Sequence, residues 1–356
     1  VVQITCIVSQ PITNKALGAM EALGVEEYDL QPCRAVMLRR KDGFMGIGEG
    51  IGLEEELSDR ITFYVSTDAA EIALQALVDA CNLTVPGRGS AVCEEIDIVK
   101  GSAWNGRPLT PVPGTDDIAT QNNLASITCT KLAFGRGNSI ANSVLDLGVP
   151  MPLVAAGTGT GLRDKLGVVR VALPAEKEMV NAFVTAHETH EVLGSLFDSA
   201  RLDRFGAGFI YGTPLVRGVI NHMVVRGQRH AASMEQLIAA VDDIKGSPEW
   251  RKRSLGDEEA EANRRYDFAY DLVNLTLICN EGKISQLTQA ILAAGVSGSV
   301  IVRLSHARFD GAESTVFPSR EMTELIIGKD EVEEIAGVIL DAGLFDKNLG
   351  GVLAIK

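Results

Sequence analysis

The sequence lacks several features that would place it in common functional classes. No apolar run approaches the roughly 20 residues needed to cross a bilayer, and the N-terminal VVQITCIVSQ lacks the basic flank and cleavage site of a signal peptide. Basic charge is also scarce, since the net charge is −14 at pH 7. Nucleic-acid binding needs a basic face that neutralises phosphates. We therefore expect no membrane span and no nucleic-acid partner.

Cysteine motifs and catalytic motifs are missing as well. The six cysteines show no CxxC spacing, and Cys6, Cys129 and Cys279 lie in apolar strand-like runs, where free thiols are commonly buried. This usage is typical of a reducing compartment, so we expect a cytoplasmic protein. The sequence has no GxSxG elbow, no GxxxxGK[ST] phosphate loop and no HExxH motif. It therefore predicts a protein that is not an enzyme.

A threefold internal repeat dominates what is present. Three segments begin with an apolar strand, continue through a turn into a helical pattern, and close on Gly-Val: VQITCIVSQPITNKALGAMEALGV, ASITCTKLAFGRGNSIANSVLDLGV and VNLTLICNEGKISQLTQAILAAGV. Gly24, Gly148 and Gly295 stand where a glycine is expected after a helix. Two more strands, an acidic-started helix, a glycine-containing turn and a last strand follow each segment. Each repeat therefore predicts the order β-α-β-β-α-β, the ferredoxin-like unit.

These patterns predict an α+β fold built from three ferredoxin-like repeats. The repeats cover 1–100, 124–230 and 267–356, and they are joined by a Gly- and Pro-rich linker at 101–123 and by a helix with a charged linker at 231–266. Each four-stranded sheet would carry both helices on one face and leave an apolar face that needs a partner. We expect the repeats to cover one another, as an intramolecular pseudo-trimer or in a larger assembly.

The order of elements, with a long loop after the second strand and a Gly-rich loop before the fourth, resembles the P-II nitrogen-regulatory signal transducers and their P-II-like relatives over nearly the whole chain. The resemblance implies nucleotides bound in the clefts between units. It also implies a partner protein engaged by the loop after the second strand, the T-loop. The loops at that position are 41–59, 157–167 and 309–321.

Candidate ligand residues follow from this resemblance and from the glycines. Before the last strand the family has glycines and a phosphate-binding lysine, but here Ser90 and Phe209 stand where the lysine is expected. An arginine such as Arg201 could replace this lysine, because a guanidinium group forms charge-assisted hydrogen bonds with phosphate oxygens. In GTGTGLRDK, closely spaced glycines and cations make the best anion cradle, although every one of these glycines could also serve only a turn. The candidates are Gly87, Arg88, Gly89, Gly159, Gly161, Arg163, Lys165, Arg204, Gly206 and Gly208.

A histidine pair is the remaining candidate site. His187 and His190 lie three residues apart on one predicted helix face, a spacing that can ligate zinc or nickel, with Glu191 as a third ligand. A solvated helix face explains the same pattern. We predict the solvated face and no metal site.

Two functions of different classes fit the sequence. The first is a P-II-like regulatory protein that binds a small anionic metabolite or an adenine nucleotide (ATP, ADP or AMP) between repeats and engages a partner protein through its T-loop-like loops. The second is a structural protein that keeps the fold, has no nucleotide site and self-assembles into rings or filaments. A three-repeat hydrolase would need a Ser/Lys pair at matching positions of every repeat, and the positions that align contain none.

Overall fold

The computed structural model describes residues 1–42, 49–100, 109, 120–131, 135–159, 176–204, 206–221, 225–226, 266–296, 299–309, 315–316, 319–346 and 349–356. Most of the predicted linkers, 101–123 and 231–266, lie outside these residues. No helix of the described part is long and apolar enough to cross a membrane.

The described elements follow one another in three stretches of chain. The first contains β1 (Val2–Ser9), α1 (Thr13–Leu23), β2 (Glu27–Asp42), β3 (Glu49–Val65), α2 (Ala70–Cys81), β4 (Gly89–Glu95) and β5 (Asp97–Lys100). The second contains β6 (Gln121–Lys131), α3 (Gly137–Asp146), β7 (Leu153–Gly159), β8 (Glu176–Thr185), α4 (Thr189–Ala200), β9 (Gly208–Val219) and β10 (Val225–Arg226). The third contains β11 (Leu272–Asn280), α5 (Ile284–Ala293), β12 (Val300–Arg308), β13 (Thr315–Val316), β14 (Arg320–Gly328), α6 (Val332–Asp341) and β15 (Val352–Ile355).

The first helix of each stretch begins against a carboxylate from a strand. The hydroxyl of Thr13 donates to Asp59 Oδ2 at 2.6 Å, and the backbone N–H of Gly137 donates to Glu178 Oε2 at 2.7 Å. The N–H of Ile284 donates to a glutamate of β14 at 3.4 Å. A carboxylate at this place satisfies unpaired donors and interacts favourably with the positive end of the helix dipole.

The predicted fold class, three ferredoxin-like α+β repeats in a pseudo-trimer, is wrong. Nine antiparallel strands instead close into one ring, in the order β2-β3-β1-β4-β9-β6-β8-β7-β12, and β12 pairs back onto β2 from Arg308↔Glu27 to Ser305↔Leu30. Four further strands, β14, β11, β15 and β5, continue from β12, and the described part is mostly β with few helices. The physical reason is that a strand edge carries unpaired N–H and C=O groups, which are satisfied when the next strand pairs there.

The two faces of the sheet differ in composition. On the helix side, Ile4 and Cys6 of β1 pack with Met20 of α1 and Leu74 of α2, all with no exposed surface. Alternation along the strand puts Thr5 and its neighbours on the opposite face. The sequence predicts that this opposite face is apolar. In the structure it mixes apolar clusters with buried polar side chains.

The cysteines are buried and unpaired. Burial raises the pKa of the Cys129 thiol to about 12, which keeps it protonated and unreactive near neutral pH. The prediction of buried free thiols in the strands is therefore confirmed.

Candidate functional site

A cavity of about 1270 Å³ lies where β4 and β9 separate. The ladder between these strands ends at Cys93↔Arg217. Beyond that pair, Glu94 and Glu95 line one side of the cavity and residues 208–214 of β9 line another. Helix α4 and residues 266–274 complete the walls. We call this cavity the trough.

Strand β9 faces the trough with an edge that no described strand covers between Gly208 and Pro214. Its other edge pairs with β6 from Gly208 to Gly218. All seven residues of 208–214 line the trough. Alternate side chains of a strand point to opposite faces, so a cavity that contacts every residue lies against the edge of the strand. Among the described strands, none pairs with this edge before Arg217. About half of the backbone N–H and C=O groups here therefore point towards the trough.

Aromatic side chains hold the segment 266–270 against α4. The Tyr266 hydroxyl donates to Asp198 Oδ2 at 2.5 Å, near the end of the helix. The Tyr270 hydroxyl lies 3.1 Å from His190 Nε2, near its beginning, and the Phe268 ring stacks edge-on against the same histidine at 4.9 Å. The segment therefore runs along α4 in the direction opposite to the helix.

Strand β9 runs along α4 in the same direction as that segment. A Cβ added to Gly208 would lie 3.1 Å from Leu202, just beyond the end of the helix, and one added to Gly212 would lie 3.6 Å from Thr189, at its start. The trough thus has two extended walls that run side by side, with α4 beneath them.

Positive charge gathers at the end of the trough beside Gly208. Arg201 caps α4 with φ 50°, and Arg204 lies in the turn that follows; both line the trough. The Lys131 ammonium donates a hydrogen bond to the backbone carbonyl of Ala200 at the end of α4. Burial lowers the pKa of Lys131, and the neighbouring charges of Arg204 and Arg136 lower it further. Cys129 and Asp203 act in the opposite direction on this pKa, and Asp203 itself lines the trough beside the two arginines.

A buried polar network lies along the inner wall of the trough. Lys356 Nζ is 2.9 Å from Glu94 Oε2 and 3.8 Å from Glu324 Oε1, and the Tyr211 hydroxyl donates to Glu324 Oε2 at 2.6 Å. Burial, together with the Glu324 charge, raises the pKa of Tyr211 well above its usual value. Burial opposes the charge of Glu324 itself, but Lys356 and the Tyr211 hydrogen bond outweigh it and lower the pKa of Glu324.

Alternation of polar and apolar residues in the sequence is the signal that could have revealed this network. In the first strand of each repeat, polar residues alternate with apolar ones, as in the pairs Gln3/Thr5, Ser126/Thr128 and Asn274/Thr276. Period-two alternation places these polar side chains together on one face. All of them except Thr128 are buried.

The glycines before the last strands have a structural explanation. A Cβ on Gly208 (φ 151°) would lie 1.9 Å from the Thr130 oxygen, and one on Gly89 (φ 140°) would lie 2.1 Å from the Ile7 oxygen. Gly206 adopts φ 71° in the turn, with open space around an added Cβ. These positions therefore require glycine for close strand approach or a left-handed turn, with or without a ligand.

The structure brings only part of the predicted set together. Arg204 and Gly208 line the trough, whereas Gly206 and residues 87–89 do not. In that separate loop the N–H of Gly87 donates to Asn221 Oδ1 at 2.8 Å.

The predicted cradle at the T-loop base is described only at its start. Gly161, Arg163 and Lys165 lie outside the described residues. Gly159 ends β7, where an added Cβ would lie 2.3 Å from the side chain of Lys177, a buried cation that sequence analysis missed. A larger residue at Gly159 would therefore have to displace the Lys177 side chain, which places one cation beside this part of the site.

The predicted partner loops coincide only partly with loops. In 41–59, residues 41–42 belong to β2 and 49–59 to β3, so most of it is a β-hairpin. In 157–167, the described residues belong to β7, and in 309–321 they include β13 and the start of β14. The remainder of each lies outside the described residues.

The histidine pair makes ordinary side-chain contacts. His187 Nε2 lies 3.2 Å from Thr185 Oγ1, and His190 contacts Tyr270 as given above. Within the described ranges, no group of three or more His, Cys, Asp or Glu side chains is arranged to hold a metal ion.

Comparison with known proteins adds little to this geometry. No protein-family model and no curated protein match the chain. Among solved structures, Arabidopsis thaliana PII bound to citrate is 18% identical with a TM-score of 0.20, covering 25% of this chain and 77% of that chain. Aspartate kinase from Synechocystis is 8% identical with a TM-score of 0.23, and the match covers 99% of this chain but only 44% of that one. The first match indicates at most a distant P-II-like relationship, and at these TM-scores neither match carries an argument about fold or ligand.

Proposed function

We propose that this chain is a regulatory protein that binds a small anionic ligand in the trough. The observation that supports it is the convergence of an open strand edge, aromatic side chains and two arginines on one cavity. The volume of about 1270 Å³ is enough for a ligand of nucleotide size, since ligand pockets typically measure about 300–1,000 Å³.

An adenine nucleotide fits these features and is the first ligand to test. The rings of Phe209 and Tyr266 offer flat surfaces to a base, and the exposed backbone groups of β9 offer donors and acceptors to its edge. The phosphates would lie beside Arg201 and Arg204, because guanidinium forms charge-assisted hydrogen bonds with phosphate oxygens.

Carboxylates in the trough restrict where an anion can bind. Six line it: Glu94, Glu95, Asp198, Asp203, Asp267 and Asp271. Glu94 is paired with Lys356, and Asp198 accepts a hydrogen bond from Tyr266. Arg201, Arg204 and Lys356 are the cations of the lining, and Lys356 is paired with Glu94. The anionic group is therefore expected beside Arg201 and Arg204, although Asp203 lies in the same turn.

The regulatory part of the proposal rests on the two facing walls. A ligand that contacts both β9 and the segment 266–270 stabilises the arrangement in which they are held together. A ligand shifts an equilibrium only by its differential affinity for two conformations, so this contact is the source of the shift. A partner protein that binds only this arrangement would therefore bind more tightly when the ligand is present. The proposal assigns no catalytic step to these residues.

Calorimetric titration with ATP, ADP and AMP tests the proposal, with Arg204→Ala as the variant. Loss of a charge-assisted hydrogen bond should weaken nucleotide binding roughly 10- to 100-fold. Arg88→Ala is the matched control, because Arg88 occupies the corresponding loop before β4 and does not line the trough. Absence of binding by all three nucleotides, or equal effects of the two substitutions, would contradict the proposal.

A further inference from the structure

We propose that the trough also receives the C-terminal segment of a partner polypeptide, which adds as a strand antiparallel to β9 and places its terminal carboxylate beside Arg201 and Arg204. This inference rests on the proposed function in one respect: the two arginines hold an anionic group. It goes further by naming a second class of ligand and a protein partner.

The place for an added strand is created where β4 leaves β9. Up to Cys93↔Arg217 the edge of β9 is occupied by β4, and from there towards Gly208 the trough takes the place of that strand. Residues 208–214 span about 20 Å of extended chain, which matches a peptide of roughly six residues. Backbone hydrogen bonds to an exposed edge supply affinity in this mode of recognition, and side-chain pockets supply specificity.

The opposite wall reinforces this geometry. The segment 266–270 runs in the same direction as β9 along α4, so a strand lying between them would be antiparallel to both. The carboxylate end fixes the direction, because the cations lie at the Gly208 end. A carboxylate there can accept bonds from Arg201 and Arg204, and two arginines suit the two oxygens of one carboxylate.

The lining sets the chemistry of the partner segment. Near the arginine end the walls carry the rings of Phe197, Phe209 and Tyr266 along with Asp198 and Asp203. The rings favour apolar side chains in the last residues of the peptide, and Asp198 already accepts a hydrogen bond from Tyr266. At the far end, where the β4–β9 ladder begins to open, the walls carry Glu95 and Asp271 besides Glu94, which is paired with Lys356. Charge complementarity therefore favours basic residues upstream, in a segment with two basic residues followed by apolar ones and a free C-terminus.

Fluorescence anisotropy with the wild-type protein tests the inference. The probe is an N-terminally labelled hexapeptide, Lys-Lys-Leu-Val-Leu-Val, with a free carboxylate. Two matched peptides are compared with it: the C-terminal amide, and a version N-methylated along the backbone, which cannot donate to a strand edge. We expect both to bind at least roughly tenfold more weakly than the free acid, because each loses charge-assisted or ladder hydrogen bonds. Unlabelled ADP should displace the free acid.

Each outcome bears on the inference. In Arg204→Ala the free acid should bind no better than the amide, whereas Arg88→Ala should bind it as the wild type does. If ADP binds and no peptide does, the inference is overturned and the proposed function stands. If the amide or the N-methylated peptide binds as well as the free acid, the antiparallel strand with its carboxylate at the arginines is overturned. If neither ADP nor peptide binds, both proposals are overturned.

Discussion

Alanine at Gly208 and at Gly206 would adopt a positive φ in both cases, but only at Gly208 would the added Cβ also meet the neighbouring strand. At Gly206 the φ of 71° is left-handed and an added Cβ meets nothing within 4 Å, so alanine costs only the conformational strain, about 1–2 kcal/mol. At Gly208 the added Cβ would lie 1.9 Å from the Thr130 oxygen. Strands β6 and β9 must then separate locally. Each backbone hydrogen bond lost between them costs about 1 kcal/mol. Local strain costs about 1–3 kcal/mol more, the value for one strained backbone position. We expect Gly208→Ala to lower the free energy of unfolding by about 3–5 kcal/mol.

Urea unfolding followed by far-UV circular dichroism measures this difference as a shift in midpoint at constant m-value. Gly89→Ala serves as a second control, because its Cβ would lie 2.1 Å from the Ile7 oxygen at the start of β4 and Gly89 does not line the trough. Gly89→Ala should lower the free energy of unfolding by about as much as Gly208→Ala. Equal destabilisation by Gly206→Ala and Gly208→Ala would refute the reasoning, since the close strand approach would then have no energetic weight.

Two further predictions concern buried charges. His306 has Nδ1 at 2.9 Å from Asp29 and Nε2 at 3.4 Å from Glu27; burial alone would lower its pKa, but these two carboxylates raise it. The folded-state pKa therefore exceeds the unfolded value of about 6.5, so this stabilisation is complete below that pH and is lost as pH rises through the raised pKa. The urea midpoint should fall over that range in the wild type and fall less in His306→Gln. The same slope in both proteins would contradict a stabilising contact of His306 with Asp29 and Glu27. Tyr211→Phe removes the hydroxyl that donates to buried Glu324 and should lower the free energy of unfolding by about 1.5–3 kcal/mol in the same assay, and an unchanged midpoint would contradict this.

Assembly is a separate question. The alternative function, self-assembly into rings or filaments, stays a prediction, and sedimentation of the purified protein over a range of concentrations would test it.

Sequence patterns anticipated local features for local reasons. Gly24, Gly148 and Gly295 were expected after helices, and they adopt φ of 81°, 84° and 107°, because left-handed backbone costs glycine little. Buried free cysteines were expected from the apolar runs around them. Arg204 and Gly208 are candidate ligand residues that both line the trough, and their contact with a ligand stays a prediction.

Other features depended on groups far apart in the chain. Phe268 and Tyr270 reach the trough only because their segment packs on α4, and Lys356 meets Glu94 across most of the chain length. Nothing in the spacing of these residues indicates that they share a cavity.

The sequence by itself determined which stretches are strands and turns, which glycines the turns require, and which side chains share a strand face, since these depend on φ/ψ preferences and on period-two alternation over a few residues. Only the tertiary structure decided that β12 pairs back onto β2, so that nine strands close into one ring, and that β4 leaves β9 at Arg217 to open the trough. Pairing between strand edges uses backbone groups that every residue carries. No residue type marks which edge meets which, and the choice is made by the packing of the whole chain.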